Sequence, residues 1–92
     1  MEKKYRIMDY DYILMENYKD AFDYDSIKEK ITDYFNDFDY IIGDWSYGKL
    51  RLKGFCNKNN KLLKEHNNIE NYKDYIKDEC AYDCKFFILK KV

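Results

Sequence analysis

The sequence predicts a single α+β domain over residues 1–92, ordered β-α-β-β-α-β, with a mainly antiparallel sheet and two helices packed on one face. Three observations lead there. Ile27, Ile31, Tyr34, Phe35 and Phe38 recur at helical spacing, two strand-like runs flank Ser46-Tyr47-Gly48, and Phe86-Phe87-Ile88-Leu89 forms a short apolar run near the end.

In chain order, Tyr10–Glu16 reads as the first strand, rich in aromatic and β-favouring residues; the residues before it form either an extension or a separate short strand. Asn17–Asp23 is polar, with Phe22 as a core anchor inside it. Ser26-Ile27-Lys28-Glu29 fits a capping box that starts a helix running to about Phe38, and Asp23 and Asp25 suit its positive end. Tyr40-Ile41-Ile42 follows as a buried strand. Gly43 marks a bulge or a close approach of other backbone.

The next turn organises the middle of the chain. With Ser46-Tyr47-Gly48 as a three-residue loop and Gly48 at positive φ, Trp45 lies opposite Lys49 and Gly43 opposite Arg51. Lys49-Leu50-Arg51-Leu52-Lys53 alternates, so the cations share one face with Trp45 while the leucines face the helices. Asn57–Asn68 is polar and basic apart from Leu62-Leu63 and reads as an exposed loop or a short, poorly formed helix. Asn68 caps a second helix that ends near Cys80, with Ile69, Tyr72, Ile76 and Cys80 on one face and Tyr75 beside them. The closing strand is apolar on both sides and so belongs in the sheet's centre. A ferredoxin-like arrangement is the simplest topology with this order, and a different strand order would leave the same sequence signature.

Composition narrows the classes. Leu, Ile, Val and Phe together number 22 of 92, enough for a folded core. No apolar run approaches the roughly 20 residues that a membrane span needs, the N-terminus lacks a signal-peptide pattern, and three cysteines make no disulfide framework. A cytoplasmic location is expected. The net charge of −1 hides a division, for Met1–Tyr47 carries 12 acids and 6 bases and Gly48–Val92 carries 6 acids and 11 bases. From Trp45 to Lys64 there is no acid at all, an asymmetry that hints at a polyanionic partner.

Two blocks resemble a known family. The segment from Tyr40-Ile41-Ile42-Gly43-Asp44-Trp45-Ser46-Tyr47-Gly48 through Lys49-Leu50-Arg51-Leu52-Lys53-Gly54-Phe55, together with Cys80-Ala81-Tyr82-Asp83-Cys84-Lys85-Phe86-Phe87-Ile88-Leu89, is similar to the YutD-like proteins of Firmicutes. Ser46 and Asp83 depart from the pattern, which has glycine at both places. The resemblance implies an α+β fold and, by a label sometimes given to the family, transcriptional regulation. It implies no catalytic residue.

Candidate sites follow from these readings. Trp45, Tyr47, Lys49, Arg51 and Lys53, extended by Lys58, Lys61 and Lys64, form the candidate nucleic-acid surface, because cations meet phosphates while rings stack on bases. The bland reading of the same residues is a solvated strand face, with Trp45 covering core and Asp44 pairing a nearby cation. Cys56, Cys80, Cys84 and His66 match the number of ligands in a structural zinc site, but Cys-x3-Cys is looser than zinc spacing and ordinary thiols are the simpler reading. A Cys80–Cys84 redox pair is disfavoured by the negative end of the second helix. One histidine, no phosphate loop and no nucleophile grouping argue against an enzyme. No cofactor or metal is expected. The partner is RNA or DNA or, alternatively, another protein that the chain serves as an adaptor, with no membrane involved.

Overall fold

The apolar run near the end of the chain does lie in the middle of the sheet. The computed structural model describes residues 3–79 and 84–92. Its closing strand β5 (Phe86–Lys91) runs between β2 (Tyr10–Tyr18) and β3 (Tyr40–Ser46), antiparallel to both. β1 (Lys4–Ile7) flanks β2 and β4 (Lys49–Phe55) flanks β3, so the order is β1-β2-β5-β3-β4. Every pairing between these strands is antiparallel. The residues before Tyr10 thus form a strand of their own.

This order is not ferredoxin-like, where the final strand would take an edge. The reason is in its side chains. Phe87 and Leu89 enter one core and Ile88 the other, with Phe86 packed beside it, and only a central position buries both faces of a strand. Full burial of one such side chain contributes about 1.5–3 kcal/mol.

The two helices also divide between the faces rather than sharing one. Helix α1 (Tyr24–Lys30) and the 3₁₀ turn Asp33–Asp37 bring Ile27, Ile31 and Phe35 against Ile41, Leu50, Phe87 and Leu89. Helix α2 (Tyr72–Glu79) packs Tyr72, Tyr75 and Ile76 against Ile42, Phe55 and Ile88 on the other side. Adjacent Ile41 and Ile42 point to opposite faces, as strand periodicity demands, and each needs its own cover.

The predicted first helix keeps its stripe but not its continuity. It starts one turn earlier, because Asp23 rather than Ser26 is the cap and accepts from the Ser26 N–H at 3.4 Å. It ends at Ile31, whose backbone is extended, and the Thr32 hydroxyl then accepts from the Tyr34 N–H and opens the 3₁₀ turn. Ile27, Ile31, Phe35 and Phe38 are all buried across the break, whereas Tyr34 is 65% exposed. Phe22 packs edge-on to Phe87 with ring centroids 5.5 Å apart, the anchor it was expected to be. Asn68 caps a 3₁₀ turn, Ile69–Asn71, that leads into α2; Cys80 and Asp83 lie outside the described residues.

Gly43 is neither a bulge nor a backbone crossing. Its register with β4 and β5 is continuous, and the ring of Phe87 lies directly on it, 2.1 Å from where a Cβ would be. Gly54 is covered by Phe38 in the same way, 2.4 Å from its virtual Cβ. Gly43→Ala or Gly54→Ala should therefore each lower stability by about 1–3 kcal/mol through overpacking. Gly48→Ala meets no atom within 4 Å, but φ of +76° should still cost about 1 kcal/mol. Urea unfolding midpoints of the three variants test this ranking; an unchanged midpoint for Gly43→Ala would contradict it.

Candidate functional site

The hairpin of β3 and β4 closes with two residues, not three. Tyr47 and Gly48 have φ of +54° and +76°, the positive values that a type I′ turn requires at both central positions. Ser46 therefore faces Lys49, Trp45 faces Leu50 and Asp44 faces Arg51. A slip of one residue sends each side chain of the first arm to the opposite face. Trp45 leaves the cations and joins the leucines on the α1 side, packing on the core, while its indole N–H donates to the Ala21 carbonyl at 2.8 Å. Lys85 covers its ring at 5.1 Å.

Asp44 takes the place expected for Gly43, opposite Arg51. It is fully buried, and one carboxylate oxygen accepts from Arg51 Nε at 2.9 Å and from the Ser46 hydroxyl at 3.4 Å. The other accepts from the Tyr75 hydroxyl of α2 at 3.2 Å. A buried carboxylate must have such donors, since an unpaired one would cost several kcal/mol.

The expected cationic face is thus divided. Arg51 is committed to Asp44. Lys53 lies over the rings of Tyr75 and Phe55, at 4.7 and 5.2 Å from their centroids, an arrangement that holds its charge beside α2. Around Lys53 opens a hollow of about 530 Å³ whose wall includes Glu65, His66, Asp74 and Asp78. Lys49, Lys58, Lys61 and Lys64 are exposed, and Tyr47 at the turn is 95% exposed. Signs alternate around this strand instead of forming one positive sheet.

Side-chain amides and carboxylates build the loop after β4. Asp39 accepts from the Asn57 N–H and from Asn60 Nδ2, at 2.9 and 3.0 Å. Asn60 Oδ1 accepts from the Leu62 N–H at 2.8 Å, and Asn67 Nδ2 donates to the Leu62 carbonyl at 3.0 Å. Both backbone groups of Leu62 are held, and its side chain is 43% exposed. The only signal for this in the sequence is the density of Asn, a residue whose side chain mimics backbone in turns.

Of the possible metal ligands, Cys56 is a buried free thiol whose backbone is tied to residues 67 and 69. Burial, and secondarily Asp39, push its pKa above the usual 9.0. Cys84 is disulfide-bonded and offers no thiolate, and Cys80 lies outside the described residues. No group of three potential ligands occurs among the described residues, and no described helix is long and apolar enough to cross a membrane.

Fold and site together define a small α+β sheet protein with a covered core and a charged, mixed-sign hairpin edge. Known proteins place it more closely. A model of the YutD-like family, described as "Putative antitoxin YutD-like", matches residues 6–90, and the chain belongs to that family. It is 37% identical over 86 residues to a Bacillus subtilis (strain 168) protein named "Putative antitoxin YutD", covering 94% of each chain. The solution NMR structure of protein YutD from B. subtilis has the same fold, with a TM-score of 0.81 and 36% identity over 99% of this chain and 83% of that one.

Two measurements probe the site. Asp44→Ala should destabilise by about 1–3 kcal/mol, because it removes the buried acceptor shared by Arg51, Ser46 and Tyr75; equilibrium urea unfolding reads this, and an unchanged midpoint would contradict it. Cys56 should react with a thiol reagent only on unfolding. Because its folded pKa is raised, the unfolded chain releases the proton first, so this group's contribution to stability falls as pH rises past the ordinary thiol range. Replacing Cys56 with Ala should flatten that alkaline decline, measured as urea midpoints across the range.

Proposed function

We propose that this chain acts by binding a partner protein directly, as an antitoxin-type module, and that it performs no catalysis of its own. One observation carries the reading: Tyr47 stands 95% exposed at the hairpin tip with φ of +54°. Asn or Gly would occupy that position with less strain, and a bulky side chain there costs of order 1 kcal/mol. Folding gains nothing from so exposed a ring, whereas an aromatic side chain on a rigid hairpin is a common interface anchor. The antitoxin description of the family agrees with a protein target.

The mixed signs around β4 support the same choice over nucleic acid. Phosphate binding would fall to Lys49, Lys58, Lys61 and Lys64, with Tyr47 the stacking ring, while Trp45, Arg51 and Lys53 are occupied within the fold.

Affinity capture from a lysate of the source cells tests the two together. The expected result is a co-purifying protein that survives nuclease treatment and whose recovery drops about tenfold or more with Tyr47→Ala, far-UV circular dichroism being unchanged. An empty or nuclease-sensitive capture overturns the reading. So does tight binding to mixed RNA or DNA that weakens steeply with salt and is lost on changing Lys49, Lys58, Lys61 and Lys64 to Glu. Arg51 should be left out of that variant, because Asp44 depends on it.

A further inference from the structure

Beside β4, on the side away from the turn, a second and smaller hollow opens, of about 220 Å³. Ligand and cofactor pockets begin at about 300 Å³, so this one is sized for a single large side chain. Tyr34, Phe38 and Leu62 form its apolar wall, with Phe38 lying on Gly54 at its base. Its basic lining residues are Lys64, His66 and Lys53, the last with its ammonium over the Tyr75 and Phe55 rings; no carboxylate lines it among the described residues.

Two of the apolar residues on this wall are exposed to water. Tyr34 is 65% exposed while its ring touches Phe35 and Phe38, with centroids 5.1 and 5.3 Å away. Leu62 is 43% exposed, while Asn60 and Asn67 fix both its backbone groups. A backbone held in place before binding loses less freedom when a partner arrives.

We infer that this hollow receives one apolar side chain of the partner protein, flanked in the partner's chain by carboxylates. The apolar side chain fills the space between Tyr34 and Leu62, and its acidic neighbours meet Lys64, the exposed cation of this lining. The inference rests on the protein-binding reading and names where and what the module grips. It also absorbs the acid-free stretch from Trp45 to Lys64, which ends at this rim.

The test uses the full chain, labelled with ¹⁵N, and a capped peptide carrying one phenylalanine between glutamates. Saturable shifts of the Gly54, Leu62, Lys64 and Asn67 amides are expected. Leu62→Ser and Lys64→Glu, both at exposed positions, should each weaken binding about tenfold or more while the spectrum stays that of the folded protein. A peptide with lysines for glutamates, or serine for phenylalanine, should not bind. Absent or scattered shifts, equal binding of the lysine peptide, concentration-dependent self-association at these amides, or a mixed-sequence hexanucleotide shifting the same amides would each overturn the inference. If Leu62→Ser leaves capture of the partner intact while Tyr47→Ala abolishes it, the protein-binding reading survives and this site falls.

Discussion

The contact on which the middle of this molecule depends is the one between Asp44 and Arg51. A carboxylate with no exposure to water is tolerable only when its oxygens are met by donors, and here Arg51, Ser46 and the Tyr75 hydroxyl meet them. Each donor comes from a different place: the partner strand, the same strand two residues on, and the helix that covers this face. The carboxylate therefore couples the register of the hairpin to the docking of α2. A hairpin paired one residue out would leave Asp44 on the opposite face, among Leu50, Leu52 and the α1 side chains, away from Arg51 and Tyr75. Removing that alternative is a form of specificity, whatever the pair's net contribution to stability.

The same register explains why an alternating basic strand does not make a phosphate-binding platform. Lys49, Arg51 and Lys53 do share one face, but that face is only partly open. Helix α2 packs on it and brings Tyr75, Asp74 and Asp78 toward Lys53, so that two of the three cations have fixed surroundings inside the fold. Alternation along a strand tells which side chains point together; whether that side meets water depends on what another part of the chain lays over it. A sheet with β5 at its centre needs cover on both faces, and this need places α2 where the cations point.

Much of the architecture was legible because it is local. The apolar stripe from Ile27 to Phe38, the turn at Gly48, the cap at Asn68 and the two-sided closing strand are patterns within a dozen residues, and all are present. What was not legible depended on distant partners. The length of the hairpin loop is decided between two neighbouring registers by Asp44 and by the indole of Trp45, which finds its acceptor at Ala21, 24 positions earlier. Capping was misplaced because Asp23 and Ser26 both satisfy the local chemistry, and only the folded chain shows which one accepts from the other. Gly43 was recognised as special, but the Phe87 ring that lies on it comes from 44 positions later. The hollow at Leu62 left still less trace, since it joins Tyr34 of the first helical segment to a loop whose order resides in asparagine side chains.

The hairpin tip and the hollow can serve one partner. They lie at the two ends of β4, and six residues of strand from Gly48 to Gly54 span about 20 Å. An interface of ordinary size buries about 800 Å² on each side, a patch about 30 Å across, and so can cover both at once. The residues between them on the exposed side are the ones with fixed surroundings, Arg51 on Asp44 and Lys53 on its two rings. A partner would find two points to grip, Tyr47 and the cleft beside Leu62, joined by a stretch whose cations already have neighbours in the fold. That spacing is a consequence of the register. Only with Asp44 inside and Tyr47 outside does a single two-residue turn hold the tip rigid at a set distance from the loop that ends the strand.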